Sequence, residues 1–91
     1  DMADYVSPTE GEKLTRLNRI SGQIEGIKKM ISDKRDTVDI LTQLRAVRAA
    51  VKGMETALLV DLLHAKAKRL SDAKRGEQIE ELITLLRRYG E

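Results

Sequence analysis

Two sets of donors at helical spacing are the side chains of this sequence best placed to meet a partner. Arg16, Arg19 and Gln23 stand at i, i+3 and i+7, and Arg45, Arg48 and Lys52 repeat that spacing. On a helix each set falls within about 60° of a common direction, forming a short ridge. Guanidinium forks match phosphate oxygens, and neutralising phosphates releases counterions, so such ridges suit double-stranded DNA. The same residues also fit an ordinary solubilising face.

Covalent chemistry has little to work with. The chain has no cysteine and one histidine, His64. Thiolate metal sites, disulfides and cysteine nucleophiles are excluded, and no Ser/His/Asp cluster offers a nucleophile with its base. No catalytic residue is assigned, and neither an enzyme nor a cofactor is expected. Asp61 precedes His64 by three residues, so a surface Asp61–His64 pair is the simplest reading of the histidine. A nickel or cobalt site built from His64 and nearby carboxylates is the alternative. The only aromatic residues are Tyr5 and Tyr89, which removes the stacking platforms used on single-stranded nucleic acid.

A net charge of +2 conceals an asymmetry. Residues 1–12 carry four acids and no Lys or Arg, residues 13–75 carry fifteen bases against seven acids, and residues 77–91 carry two bases against four acids. Positive charge is thus concentrated on the first two thirds of the folded part, which points to a polyanion.

Three helices must position these groups. Ser7-Pro8-Thr9-Glu10 predicts a helix over 8–31 with Ser7 as N-cap, Pro8 in the first turn and Glu10 closing a capping box. Leu14, Leu17, Ile20, Ile24, Ile27 and Ile31 follow at gaps of three and four, the spacing of one apolar face. Gly22 and Gly26 lie inside it, and close approach of a neighbouring helix is one reason for them. Residues 32–36 contain no apolar side chain and read as a connection, with Asp36 able to cap the next helix. The second helix is expected over 37–70, its stripe running through Leu41, Leu44, Val47, Val51, Met54, Leu58 and Leu62. A third, over 74–89, carries Ile79, Leu82, Ile83 and Leu86 and ends at Gly90.

Ninety-one residues make one all-α domain, 1–91. A 34-residue helix is about 50 Å long, whereas a compact monomer of this size is roughly 30 Å across. The distal stripe of the middle helix has no partner of comparable length in its own chain. A second copy is therefore expected to cover it, as an antiparallel helical homodimer or a higher oligomer. No apolar run reaches the roughly 20 residues of a membrane span and no signal-peptide core is present, so a soluble, cytoplasmic protein without a membrane partner is expected. Asp1 ahead of Met2 reads as an addition before a native start.

The runs Leu14-Thr15-Arg16-Leu17-Asn18-Arg19-Ile20-Ser21-Gly22-Gln23-Ile24-Glu25-Gly26-Ile27 and Val38-Asp39-Ile40-Leu41-Thr42-Gln43-Leu44-Arg45-Ala46-Val47 resemble the copper-sensitive-operon repressor family, which includes nickel/cobalt, formaldehyde and persulfide sensors of bacteria. The resemblance covers about Gly11 to Tyr89. It implies a three-helix protomer with a long central helix, assembled as a dimer of dimers, a homotetramer that represses transcription by holding operator DNA. It also implies an inducer site between subunits, made from a cysteine at the start of the second helix and, from the partner, a histidine and a ligand four residues later. Here those positions are Thr37, Leu62 and Lys66. Leucine has no lone pair, a lysine ammonium none that is free, and a lone hydroxyl is a poor ligand, so no metal site is expected.

Glu81 matches an acidic position that the family couples to the ligand histidine, and Asp36 stands where copper sensors often carry tyrosine. A Lys66–Glu81 or Lys66–Asp36 ion pair across subunits is one expectation for these groups; solvated side chains without a partner are the other. Arg16 matches a family arginine implicated in operator binding, and Gly53 stands where some members carry a further arginine. The sequence is thus read as a DNA-binding transcriptional repressor that has lost its thiol-based sensing site and whose inducer is unknown. The alternative is a helical oligomerisation module that binds a protein partner.

Overall fold

In the computed structural model, residues 4–91 are described; Asp1 and Met2 lie outside them. The elements are three helices in order: α1 (Glu10–Ser32), α2 (Thr37–Ala67) and α3 (Arg75–Tyr89).

The capping box of α1 sits two residues later than the sequence suggested. Thr9 is the N-cap: its Oγ1 accepts from the Glu12 N–H at 3.0 Å, and Glu12 Oε1 accepts from the Thr9 N–H at 3.2 Å. Both Ser7-x-x-Glu10 and Thr9-x-x-Glu12 satisfy the motif. Ser7 is taken out of the competition because its hydroxyl donates to Asp61. At the other end, Arg35 N–H donates to Met30 O and Lys34 N–H to Ile31 O, the paired bonds that commonly close a helix around a left-handed residue. That residue is Lys34, at φ 56°. Glycine usually takes this position, so the stop carried no glycine signal in the sequence.

The second helix ends three residues earlier than expected. Arg69 N–H reaches Lys66 O and Leu70 N–H reaches Ala67 O, tighter turns that close α2. The Gln78 side chain then takes over two freed backbone groups, accepting from Ser71 N–H at 2.9 Å and donating to Arg69 O at 3.0 Å. At 31 residues, α2 is about 46 Å long. No helix among the described residues is long and apolar enough to cross a membrane.

Contacts group the chain into two compact units. One is Pro8–Met54, a helical hairpin of α1 with the first part of α2; the other is Glu55–Glu91 with the N-terminal segment as far as Ser7. In the hairpin, Ile20, Ile27 and Met54 are buried. The apolar face of α1 is wide enough to be split. Ile20 and Ile27 turn inward, while Leu17, Ile24 and Ile31, one row round the helix, stay exposed with Leu14. On α2, Val38, Leu41, Leu44 and Val51 are likewise exposed. In the second unit Leu59 is buried, while Leu58, Leu62, Ile79 and Leu86 are exposed. A Cβ placed on Gly22 or Gly26 would meet nothing within 4 Å, so no close approach within the chain accounts for either glycine.

Candidate nucleic-acid interface

The hairpin carries both ridges. Arg16, Arg19, Arg45 and Arg48 are exposed, and among the described residues none of the four is in an ion pair. Arg16 reaches across to α2: its Nη2 lies 3.2 Å from the point a Cβ on Gly53 would occupy. The first ridge therefore meets the end of the second, where Lys52 is half-buried.

The six residues are not equivalent. Gln23 is half-buried and its Oε1 is shut off from solvent without a hydrogen-bond donor, so it is packed more than presented. Arg45 and Arg48 line an open groove of about 500 Å³ with Val38, Leu41, Thr42 and Leu44. They stand at the margin of an uncovered apolar face. Arg16 and Arg19 are the clearest free cations of the set.

In the second unit, Lys66 Nζ lies 3.6 Å from Glu81 Oε2, joining α2 to α3. With Leu62, Ala65, Arg69 and Gln78 they line a cavity of about 280 Å³. The pairing expected across subunits is thus made within one chain. Its side chains are 39% and 63% exposed, so solvent screens it and its contribution is about 0 to 1 kcal/mol. Asp36 and Thr37 belong to the hairpin, both exposed; the Asp36 carbonyl accepts from Ile40 N–H in the first turn of α2. A leucine, a threonine hydroxyl and an ammonium already facing a carboxylate do not make a donor set for copper, nickel or cobalt. Among the described residues no three His, Cys, Asp or Glu side chains gather.

A third cluster went unread in the sequence. The Tyr5 ring stacks on His64 with centroids 3.7 Å apart and planes 2° from parallel. The Tyr5 hydroxyl donates to Asp61 Oδ1 at 3.0 Å, and Ser7 Oγ donates to the same oxygen. Partial burial first, then the hydrogen bond to Asp61 and the charge of that carboxylate, raise the Tyr5 hydroxyl above its ordinary pKa, against a smaller lowering by Ser7. His64 Nδ1 is buried without a hydrogen-bond partner. Asp61, expected to pair with His64, is an acceptor for the N-terminal segment, and His64 is held by a ring. The signal available was the placement of one of only two aromatic residues ahead of α1, which periodicity does not interpret.

The sequence profile described as metal-sensitive transcriptional repressor matches residues 10–88. The copper-sensing transcriptional repressor CsoR of Bacillus subtilis (strain 168) is 38% identical over 88 residues, covering 94% of this chain and 87% of the relative. The transcriptional repressor RcnR of Citrobacter koseri is 29% identical over 75 residues, covering 81% of this chain and 83% of the relative. Among solved structures, the nickel-responsive transcriptional regulator InrS superposes with a TM-score of 0.85 at 26% identity, over 94% of this chain and 98% of that one.

Proposed function

The chain belongs to the family of metal-sensitive transcriptional repressors, and from that premise we propose that it holds operator DNA through the cationic ridges of its hairpin and does not respond to metals through the family's ligand positions. The observation that carries the first half is the pair of exposed arginines on α1, Arg16 and Arg19, without acidic partners among the described residues. A carboxylate partner would have to be displaced before a phosphate could bind; here none has to be. Arg16, Arg19, Arg45 and Arg48 lie along the sides of α1 and α2, which pack together in the hairpin, so recognition rests on phosphate positions and on DNA shape. Arg45, Arg48 and Lys52 supply further cations at the edge of the same hairpin.

The exposed apolar rows of α1 and α2 favour a second copy as their cover, giving a homodimer and, by pairing of dimers, a homotetramer. Symmetry then repeats the arginines over a broad surface, so a protomer of +2 presents a much larger local field. Thr37, Leu62 and the Lys66–Glu81 pair support the second half: Lys66 occupies a position at which the resemblance implies a ligand, and its ammonium charge opposes a cation. The inducer is accordingly something other than a metal bound at these positions. The protein acts as a cytoplasmic regulator and not as an enzyme.

The test is binding of fluorescent duplexes, selected from a random library and from genomic fragments, over a salt series. Tight, salt-dependent binding with a preferred sequence is expected. A chain that oligomerises yet binds no duplex at low salt would instead be the helical assembly module that its apolar rows also suit.

A further inference from the structure

We infer that Gly53 is a positioning residue: its missing side chain leaves a seat on α2 in which the guanidinium of Arg16 rests, poised for a phosphate. The inference deepens the nucleic-acid reading above and rests on it.

A glycine in the interior of a helix needs a physical reason. Glycine is the poorest helix former after proline, because it loses the most backbone freedom on ordering. Gly53 is the one glycine among the 31 residues of α2. Its backbone gives no reason for it, since no glycine in the described residues has positive φ. The reason is in the space beside it. A Cβ at 53 would stand 3.2 Å from Arg16 Nη2, tighter than an ordinary van der Waals contact, whereas a Cβ at Gly22 or Gly26, the other glycines within helices of the hairpin that follow its first turn, would meet nothing within 4 Å. The guanidinium of α1 therefore lies in the place where a side chain of α2 would be.

A long cation held this way is prepared for binding. Arg16 Nη2 sits beside Gly53, 3.2 Å from the place a Cβ would take, while Arg16 as a whole remains exposed. Arginine has many rotamers, and a contact formed by one that is already held forfeits less freedom than a contact formed by a loose one. A methyl group at 53 would push the planar fork aside by a few tenths of an ångström. A leucine would evict it.

The experiment uses the full chain with Gly53→Ala, Gly53→Leu, Arg16→Ala and the Gly53→Leu/Arg16→Ala double variant. Each phosphate contact on duplex DNA contributes about 0.9 to the slope of log affinity against log salt, so one lost contact weakens binding about eightfold per contacting subunit at about 0.1 M salt relative to 1 M. Gly53→Leu is expected to match Arg16→Ala in this loss, and the double variant to lose no more than either, because both remove one interaction. Gly53→Ala is expected to raise the melting temperature while weakening DNA binding. A glycine kept only for packing would move both in one direction.

Arginine Nε–Hε relaxation in the absence of DNA reads the seat directly, with the Arg16 signal assigned by its loss in Arg16→Ala. Restricted motion in the wild type and freer motion in Gly53→Leu are expected. Equal motion in the two overturns the seat, as does a double variant whose losses simply add. Wild-type protein that binds no duplex overturns the nucleic-acid reading instead, and the relaxation measurement separates that failure from the first.

Discussion

Trimming Leu41 to alanine tests whether the outward apolar rows are an interface. Leu41 is 55% exposed and lines the groove with Val38 and Leu44. Fully burying a leucine is worth about 2 kcal/mol, so roughly 1 kcal/mol remains to be gained when a partner covers what is exposed. In a two-fold interface the loss is counted in both copies, giving about 2 kcal/mol and a dimer weakened about 30-fold. The isolated protomer should barely notice. Alanine is the better helix former, and a surface change of this kind stays within about 0.5 kcal/mol. The eight residues exposed on the hairpin rows, Leu14, Leu17, Ile24, Ile31, Val38, Leu41, Leu44 and Val51, would by the same reckoning contribute about 8 kcal/mol per copy. Two copies, at about 16 kcal/mol, then exceed the association cost of about 4 to 15 kcal/mol, so dimerisation is expected at low micromolar concentration. Sedimentation equilibrium across a dilution series, with circular dichroism to monitor folding, measures the shift. A Leu41→Ala protein with the wild-type dissociation constant, or a wild type that sediments as a folded monomer at low micromolar concentration, would refute the reasoning.

Arg16→Ala should weaken binding to all duplexes alike and flatten the salt slope by about 0.9 for each subunit in contact; lost discrimination between operator and scrambled duplexes at an unchanged slope would make Arg16 a base reader. Competition titrations with Cu(I), Ni(II), Co(II) and Zn(II) should give no tight stoichiometric binding coupled to DNA release, because Thr37, Leu62 and Lys66 lack the donors; one such metal is enough to contradict this. Tyr5, followed by ultraviolet absorbance in a Tyr89→Phe background, should ionise above the ordinary value of about 10, and Asp61→Ala should bring its midpoint down. Because the folded pKa is the higher one, the stability that Tyr5 contributes is whole below pH 10 and is lost as pH rises through the folded value, loosening the N-terminal segment in strong base.

Helix number and order were legible in the sequence, because a 3.6-residue apolar period, sustained over six positions in α1, seven in α2 and four in α3, fits a helix and not a strand. Helix ends were less so. The stop of α1 uses Lys34 in a left-handed conformation, and the stop of α2 uses Gln78 from eleven residues beyond Ala67. Neither is a local propensity. The capping box was visible in two registers, and only the bond from Ser7 to Asp61, 54 residues away, chose between them.

The candidate site divides in the same way. Composition by itself determined what this protein lacks: without a cysteine and with one histidine, thiolate chemistry is excluded whatever the fold, because absent atoms cannot be supplied by packing. Spacing determined that Arg16, Arg19 and Gln23 share one side of a helix. Which of them is free, and what holds each, belonged to tertiary structure: Gln23 is half-packed, Arg16 lies over Gly53, Lys66 meets Glu81 within its own chain, and Tyr5 finds His64. These contacts join residues 15 to 59 positions apart. A periodic pattern records the direction in which a side chain leaves its own helix, whereas its neighbour is set by how separate helices and the N-terminal segment come to lie together, which no local window contains.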